Sequence, residues 1–321
     1  MAFYGWPFSQ CQSPPTSSKP DALLTQLRSG IRVVDIRLSI IGNKLITFHG
    51  PYPERTLFSD ILNTFHQFLT GEGKSECIIV SIKQEDKASP VFGELVQSEI
   101  ASSSGGHDLW FTESNRIPAL GEVRGKCVLF SRFGDPSANG LGIHPDIWPD
   151  SVKEGFEWNC GDTKVRVSDW YSITTFLSIP EKVKLSTEIL LPPPSPLDEH
   201  SLAITYFSAS SIPLALPPVV AKGFGWPEWC LGVVGVNERV GTWLTDRLMG
   251  KQGVTSIQRR LLEETNSNDN ESGHDGGGRE SARLRGWAFI DFYEDPTESS
   301  LVPLLVEGNF KGRKWGEEGW K

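Results

Sequence analysis

The sequence predicts an α/β fold in which parallel strands close into a (β/α) barrel. Strand-length apolar runs alternate with stretches of helical periodicity along roughly 300 residues, the pattern of a parallel sheet wrapped by helices. Polar or charged residues recur just past those runs: Asp35 and Arg37, His49, Lys83 and Glu85, Arg132, Asp169 and Tyr171, Ser210, and Asp291. A barrel gathers such positions onto one C-terminal face, whereas an open sheet spreads them along a line. The length of 321 residues suits one domain covering 1–321.

The elements follow in order. Residues 9–20 are rich in Ser and Pro and read as a loop, and Asp21 caps a helix over about 22–29. Strands are expected at 31–36 and 44–48. Leu57, Ile61, Leu62, Phe65, Phe68 and Leu69 have helical spacing, which places a helix over 56–69. The continuous apolar run 77–82 is a strand buried on both faces. A helix at 90–101 and a strand at 126–130 come next, then mostly loop over 134–163. A short strand at 165–167 leads to Asp169-Trp170-Tyr171, and a helix over about 172–190 stops at the prolines 192–194. Residues 202–207 form a strand. The apolar, Pro-rich stretch from Ser211 to Val220 is expected to be neither a regular helix nor a central strand. Helices at 233–249 and about 297–308 flank a last strand at 286–290. The polar stretch at about 264–282 reads as a flexible surface insertion.

Composition narrows the function classes. With 31 basic and 40 acidic residues the net charge is −9, so no diffuse basic surface draws the chain to nucleic acid or anionic lipid. Contact with a membrane would run through apolar and aromatic side chains, of which 11 Trp and 17 Phe give a supply. No apolar run reaches the ~18 residues of a membrane span, and the first residues lack the pattern of a signal peptide. The five cysteines are scattered without zinc spacing, so no structural metal is expected. Cys77 and Cys127 read as buried thiols, and a disulfide from Cys11 or Cys160 to Cys230 is left open.

The chemistry concentrates at one place. The run 30–37 ends in Asp35-Ile36-Arg37, and a second short run delivers His49, followed by Gly50. A carboxylate, a guanidinium and an imidazole at neighbouring strand ends make a phosphate site, because a guanidinium offers two parallel donors to phosphate oxygens and an imidazole transfers protons near neutral pH. The same residues also fit a plainer reading, in which Asp35 and Arg37 are a structural ion pair and His49 a satisfied core histidine.

Six segments, in order along nearly the whole chain, resemble the bacterial-type phosphatidylinositol-specific phospholipases C and their fungal relatives with a PLC X domain. They are 30–37, Phe48-His49-Gly50, 78–85, 125–133, 165–171 and 287–292. The resemblance implies a distorted TIM-like barrel of the PLC-like phosphodiesterase type. It implies attack of the inositol 2-hydroxyl on phosphorus, giving diacylglycerol and a cyclic inositol phosphate. His49 would be the general acid, Arg37 the cation on the phosphate, Asp35 the carboxylate near the attacking hydroxyl, and Asp291 the carboxylate orienting the general base. Lys83, Arg132, Asp169 and Tyr171 would hold the inositol ring. Arg37 stands where calcium-dependent relatives need a second acid, so the expected site needs no metal and no cofactor.

The family also places a His-Asp pair after its first strand, and none of the other five histidines here matches it. The expectation is a chain truncated at the N-terminus, with the first strand and the base missing and with low solubility and activity. Leu214, Leu216 and Trp226 are expected at a membrane interface, although the same loop could simply pack over the barrel end. The expected partner is a phospholipid surface met peripherally by a monomer, with no nucleic acid. Two competing functions stay open: a non-catalytic lipid- or inositol-phosphate-binding barrel, and a metal-dependent glycerophosphodiesterase.

Overall fold

The structure is a computed structural model, and it describes residues 19–50, 52–86, 88–134, 141–192, 201–211, 214–225, 232–249 and 284–311. The expected insertion at about 264–282 and Trp226 lie outside the described residues, as do Cys11 and Cys230.

In chain order the strands are β1 (Val33–Ile41), β2 (Lys44–His49), β3 (Tyr52–Leu57), β4 (Cys77–Gln84), β5 (Trp110–Phe111), β6 (Lys126–Arg132), β7 (Phe156–Cys160), β8 (Thr163–Ser168), β9 (Leu202–Tyr206), β10 (Gly223–Phe224), β11 (Val233–Val234) and β12 (Trp287–Phe289). The helices are α1 (Lys19–Arg28), α2 (Phe58–Thr70), α3 (Phe92–Ser102), α4 (Ile179–Glu188), α5 (Pro217–Lys222), α6 (Val236–Met249) and α7 (Leu301–Gly308). One sheet runs β3-β2-β1-β4-β6-β5 and another β12-β9-β8-β7. The neighbours β1, β4 and β6 are parallel, as are β8, β9 and β12.

Alternation along the strands builds three layers. Val34, Ile36 and Leu38 of β1, Ile78, Val80 and Ile82 of β4, and Leu129 of β6 face outward onto α1, α2 and α3. Phe207, Val183, Val236, Val240 and Leu244 form a second outer layer with α4 and α6. The opposite faces meet inside: Ile79, Val128, Phe130, Val165, Val167, Ile204, Tyr206 and Phe289 make one inner core shared by both sheets. Ile143 joins that core as a stave beside β6, through Ile143 N to Leu129 O and Ser131 N to Ile143 O, both 2.9 Å. Gly142 makes this possible, because with φ +70° a Cβ there would sit 2.4 Å from the Leu129 carbonyl oxygen.

Among the described residues the barrel is not closed. β12 ends its sheet, and β1 lies beside it without pairing among the described residues. A cavity of about 460 Å³ is lined from both sides of this seam, by Val33, Asp35, Ile79, Trp287, Phe289 and Asp291.

Several boundaries depart from the sequence-based expectation. Tyr52–Leu57 pairs with β2 as a strand, so the helix starts at Phe58. Phe156–Cys160, expected as loop, pairs antiparallel with β8. The helix expected from 172 begins as a 3-10 turn at Phe176–Ser178 and is α-helical from Ile179. The Pro-rich stretch does hold a short helix, α5, because Pro217 and Pro218 open it at positions where a missing N–H costs nothing. Cys160 is a buried free thiol rather than half of a disulfide, and burial pushes it up to about 11.

Candidate active site

The pairing register places three cations in one row. Arg37 of β1 is opposite Lys83 of β4, which is opposite Arg132 of β6. Strands sit about 4.8 Å apart, and all three residues share the inward parity of Asp35, Ile79 and Phe130. The row below reads Asp35, Ser81, Phe130.

Carboxylates hold this row in place. Asp35 accepts from Ser81 Oγ at 2.7 Å, Arg37 Nε at 2.9 Å and Arg132 Nη1 at 3.4 Å. Burial opposes its charge, but the guanidinium groups of Arg37 and Arg132 prevail and hold the carboxyl well below the usual range. Glu85 accepts from Arg37 Nη1 at 3.3 Å and lies 3.6 Å from Lys83 Nζ. Burial alone would favour loss of the Arg37 proton, yet Asp35 and Glu85 raise its affinity for it.

His49 arrives on an antiparallel hairpin rather than on a parallel strand. The β1–β2 ladder ends at Leu38 and Thr47, and His49 follows two residues later at the end of β2, lining the same cavities as Arg37. Gly50, with φ +55°, leads from β2 toward β3 and donates its N–H to Glu85 at 2.9 Å. Glu85 thus ties the backbone just past His49 to the Arg37 guanidinium. Burial, with help from Arg37, brings His49 down to about 4, against the pull of Glu85 and Asp35.

Beyond this row the barrel mouth opens into a cavity of about 860 Å³, lined by Arg37, His49, Lys83, Arg132, Asp169 and Tyr171 among others. Arg132 donates to Tyr206 Oη at 3.0 Å, and its guanidinium carbon lies 4.1 Å from the Trp148 ring centroid. Trp148 Nε1 donates to Asp169 Oδ2 at 2.9 Å, and Tyr206 stacks on Phe289 at 4.3 Å. Asp291, just past β12, is buried and lines the seam cavity with Asp35, Arg37, His49 and Tyr171. Asn237 of α6 fixes that turn, donating Nδ2 to the carbonyls of Asp291, Phe292 and Asp295 at 2.8–2.9 Å.

Every catalytic and ring-holding residue expected from the sequence therefore lines one or both of two cavities that share Arg37, His49 and Tyr171. Leu216 reaches the rim of the larger one, and Leu214 is 60% exposed beside it in the chain. Sequence reading missed Glu85 as the hub between Arg37, Lys83 and Gly50, and missed Trp148 and Tyr206 as the platform for Arg132. Glu85 carried a signal, being two residues past Lys83 at a strand end; the two aromatics look like ordinary core. Among the described residues no group of three His, Cys, Asp or Glu is placed to hold a metal ion, and no helix is long and apolar enough to cross a membrane.

No protein-family model matches the chain. It is 28% identical over 156 residues to the 1-phosphatidylinositol phosphodiesterase of Staphylococcus aureus (strain Newman), covering 46% of this chain and 50% of that protein. With the 1-phosphatidylinositol phosphodiesterase of Listeria monocytogenes it shares 34% identity over 123 residues, 37% of each chain. The chain spans about half the length of the S. aureus relatives it matches. A solved structure of S. aureus phosphatidylinositol-specific phospholipase C is similar with a TM-score of 0.62 and 20% identity, over 89% of this chain and 82% of that one. For the L. monocytogenes phospholipase C the TM-score is 0.52 at 20% identity, over 89% and 81%. The chain thus has the TIM-like barrel fold of the bacterial phosphatidylinositol-specific phospholipases C, with β1 and β12 unpaired to each other among the described residues.

Proposed function

We propose that a chain with this fold and this strand-end chemistry is a phosphodiesterase acting on phosphatidylinositol or its glycosylated form, releasing diacylglycerol and a cyclic inositol phosphate. The observation that carries the reading is the aligned row Arg37, Lys83, Arg132 with His49 beside it and Asp169 and Tyr171 across the same cavity. A phosphodiester gains negative charge as the inositol 2-hydroxyl attacks phosphorus, and a guanidinium already oriented by Asp35 and Glu85 meets that charge without reorganising. As the P–O bond to the glycerol breaks, the departing oxygen takes a proton from His49. Lys83, Arg132, Asp169 and Tyr171 then hold ring hydroxyls; the general base that Asp291 would orient has no match among the other five histidines, so the proton of the attacking 2-hydroxyl passes to solvent and turnover is slow. Arg37 supplies the positive charge that calcium supplies elsewhere, so the reaction runs without metal.

The low proton affinity of His49 sets a condition on this reading. A ring brought down to about 4 is neutral at pH 7 in the empty site. An anionic phosphate beside it raises that value, because an opposite charge within about 4–6 Å favours the protonated form. The same observation favours a second reading, an inositol-phosphate-binding barrel without turnover, in which His49 stays neutral.

The substrate is met at a lipid surface by apolar side chains on the cavity face. Leu214 is 60% exposed and Ile147, one residue before Trp148, is 71% exposed. Incubation with phosphatidylinositol vesicles in EDTA, read by phosphorus NMR, separates the readings. A cyclic phosphate supports the enzyme. Binding without product supports the second reading, and product only with added calcium supports a metal-dependent phosphodiesterase.

A further inference from the structure

The inner face of α4 is polar where it meets the ends of two strands. Lys182 is completely buried, and its Nζ donates to the Trp170 carbonyl at 2.8 Å. One turn further, Ser186 is also completely buried. Its Oγ donates to the Tyr206 carbonyl at 3.4 Å, and its own carbonyl accepts from Thr205 Oγ1 at 2.9 Å. Residues four apart share a helix face, so Lys182 and Ser186 form one stripe laid across the C-terminal ends of β8 and β9.

Stability alone does not account for a lysine here. Its helix neighbours Ile179 and Val183 belong to an apolar layer with Trp170, Ile173 and Phe207. A methionine or leucine would fill that space with no charge to desolvate, and replacing buried charges by apolar groups is often neutral or stabilising. The cost is visible in Lys182 itself, whose ammonium burial pushes down to about 8 against the pull of Asp169 and Asp291.

The carbonyl it holds has a defined place. Trp170 turns its ring outward into the helical layer, while its neighbours Asp169 and Tyr171 line the large cavity. Asp169 is met from the cavity side by Trp148 Nε1 at 2.9 Å, and the Tyr171 carbonyl accepts from Ser210 N at 2.9 Å. Lys182 fixes the middle of this tripeptide from behind. We propose that Lys182 is a positioning residue that sets the Asp169–Tyr171 strand tip for recognition of the polyol ring. This rests on the function proposed above.

The test compares two probes, myo-inositol 1-phosphate and inorganic phosphate, by calorimetry on the full chain and on Lys182→Met. Phosphate alone reports the Arg37 row, and the difference between the probes reports the ring-holding side. In the wild type the inositol phosphate binds more tightly. In K182M that preference falls about tenfold while phosphate binding stays within twofold. Lys182→Gln, which keeps a donor for the Trp170 carbonyl, retains most of the preference and serves also if K182M does not fold. A wild-type preference that survives in both variants overturns the role of Lys182 and leaves the function standing. So does a loss of both affinities in step with lowered thermal stability, which marks a merely structural lysine. A wild type with no preference for the inositol phosphate overturns the inositol reading, and the role of Lys182 falls with it.

Discussion

Arg37 Nε donates to Asp35 Oδ2 at 2.9 Å, from two residues away on the same inward face of β1. The pair is more than a local contact, since Arg37 also reaches Glu85, just past β4, and Asp35 also takes Ser81 and Arg132. The Arg37–Asp35 pair thereby links the ends of β1, β4 and β6.

Arg37→Lys keeps the charge but loses the planar fork. Turnover of phosphatidylinositol is expected to fall about 10²–10³-fold, the usual loss when one donor to a developing oxyanion is removed. Arg37→Ala also leaves Asp35 buried without its nearest cation. Breaking a buried pair in this way costs about 3–5 kcal/mol, so denaturant unfolding should show a marked loss for the alanine variant and a small one for the lysine.

His49 should titrate near 4 in the free protein, against an ordinary value of 6.5. A folded value below the unfolded one means that the native state resists protonation. This group leaves stability unchanged above pH 6.5, lowers it as pH falls from 6.5 to 4, and adds no further slope below that. In His49→Gln that part of the acid slope disappears. Proton NMR of the ring should show the upward move when inositol phosphate binds, and a value that stays near 4 in the complex would leave His49 without its proton-donating role.

Asn237→Ala removes one amide donor from three carbonyls around Asp291. The expected loss is about 1–3 kcal/mol for buried acceptors left unpaired, seen as a lower melting temperature. Turnover should fall as well, because the turn that places Asp291 loosens.

Leu214→Ala should weaken binding to phosphatidylinositol vesicles while sparing cleavage of a short-chain soluble substrate. Sedimentation with vesicles and a soluble-substrate assay are the two measurements. An equal fall in both would make the segment a packed loop instead of a lipid contact.

Much of the site was legible in the sequence because of where strands end. Asp35, Arg37, Lys83, Arg132 and Asp169 each follow an apolar run, and in parallel strands those ends share one face. His49 was legible as a neighbour of Arg37, but not the antiparallel pairing of β2 with β1, since neither strand's own residues say in which direction they pair; β3 was missed because Tyr52-Pro53-Glu54 carries no alternation. β7 was hidden for a similar reason: Phe156–Cys160 has Trp and Asn where a simple pattern expects aliphatics. Lys182 left no trace, because its spacing in α4 is that of any core position and only the packing reveals that a charge fills it. The cation row depended on register, and register is a property of paired strands rather than of any one of them.

The central claim is that the Arg37 row and His49 together cleave an inositol phosphodiester without metal. The direct measurement is phosphorus NMR of phosphatidylinositol vesicles incubated with the protein in EDTA, alongside His49→Gln. The account predicts a cyclic inositol phosphate resonance with the wild-type chain and its loss in the variant. No cyclic product, or one that forms only when calcium is added or that persists in His49→Gln, would contradict it.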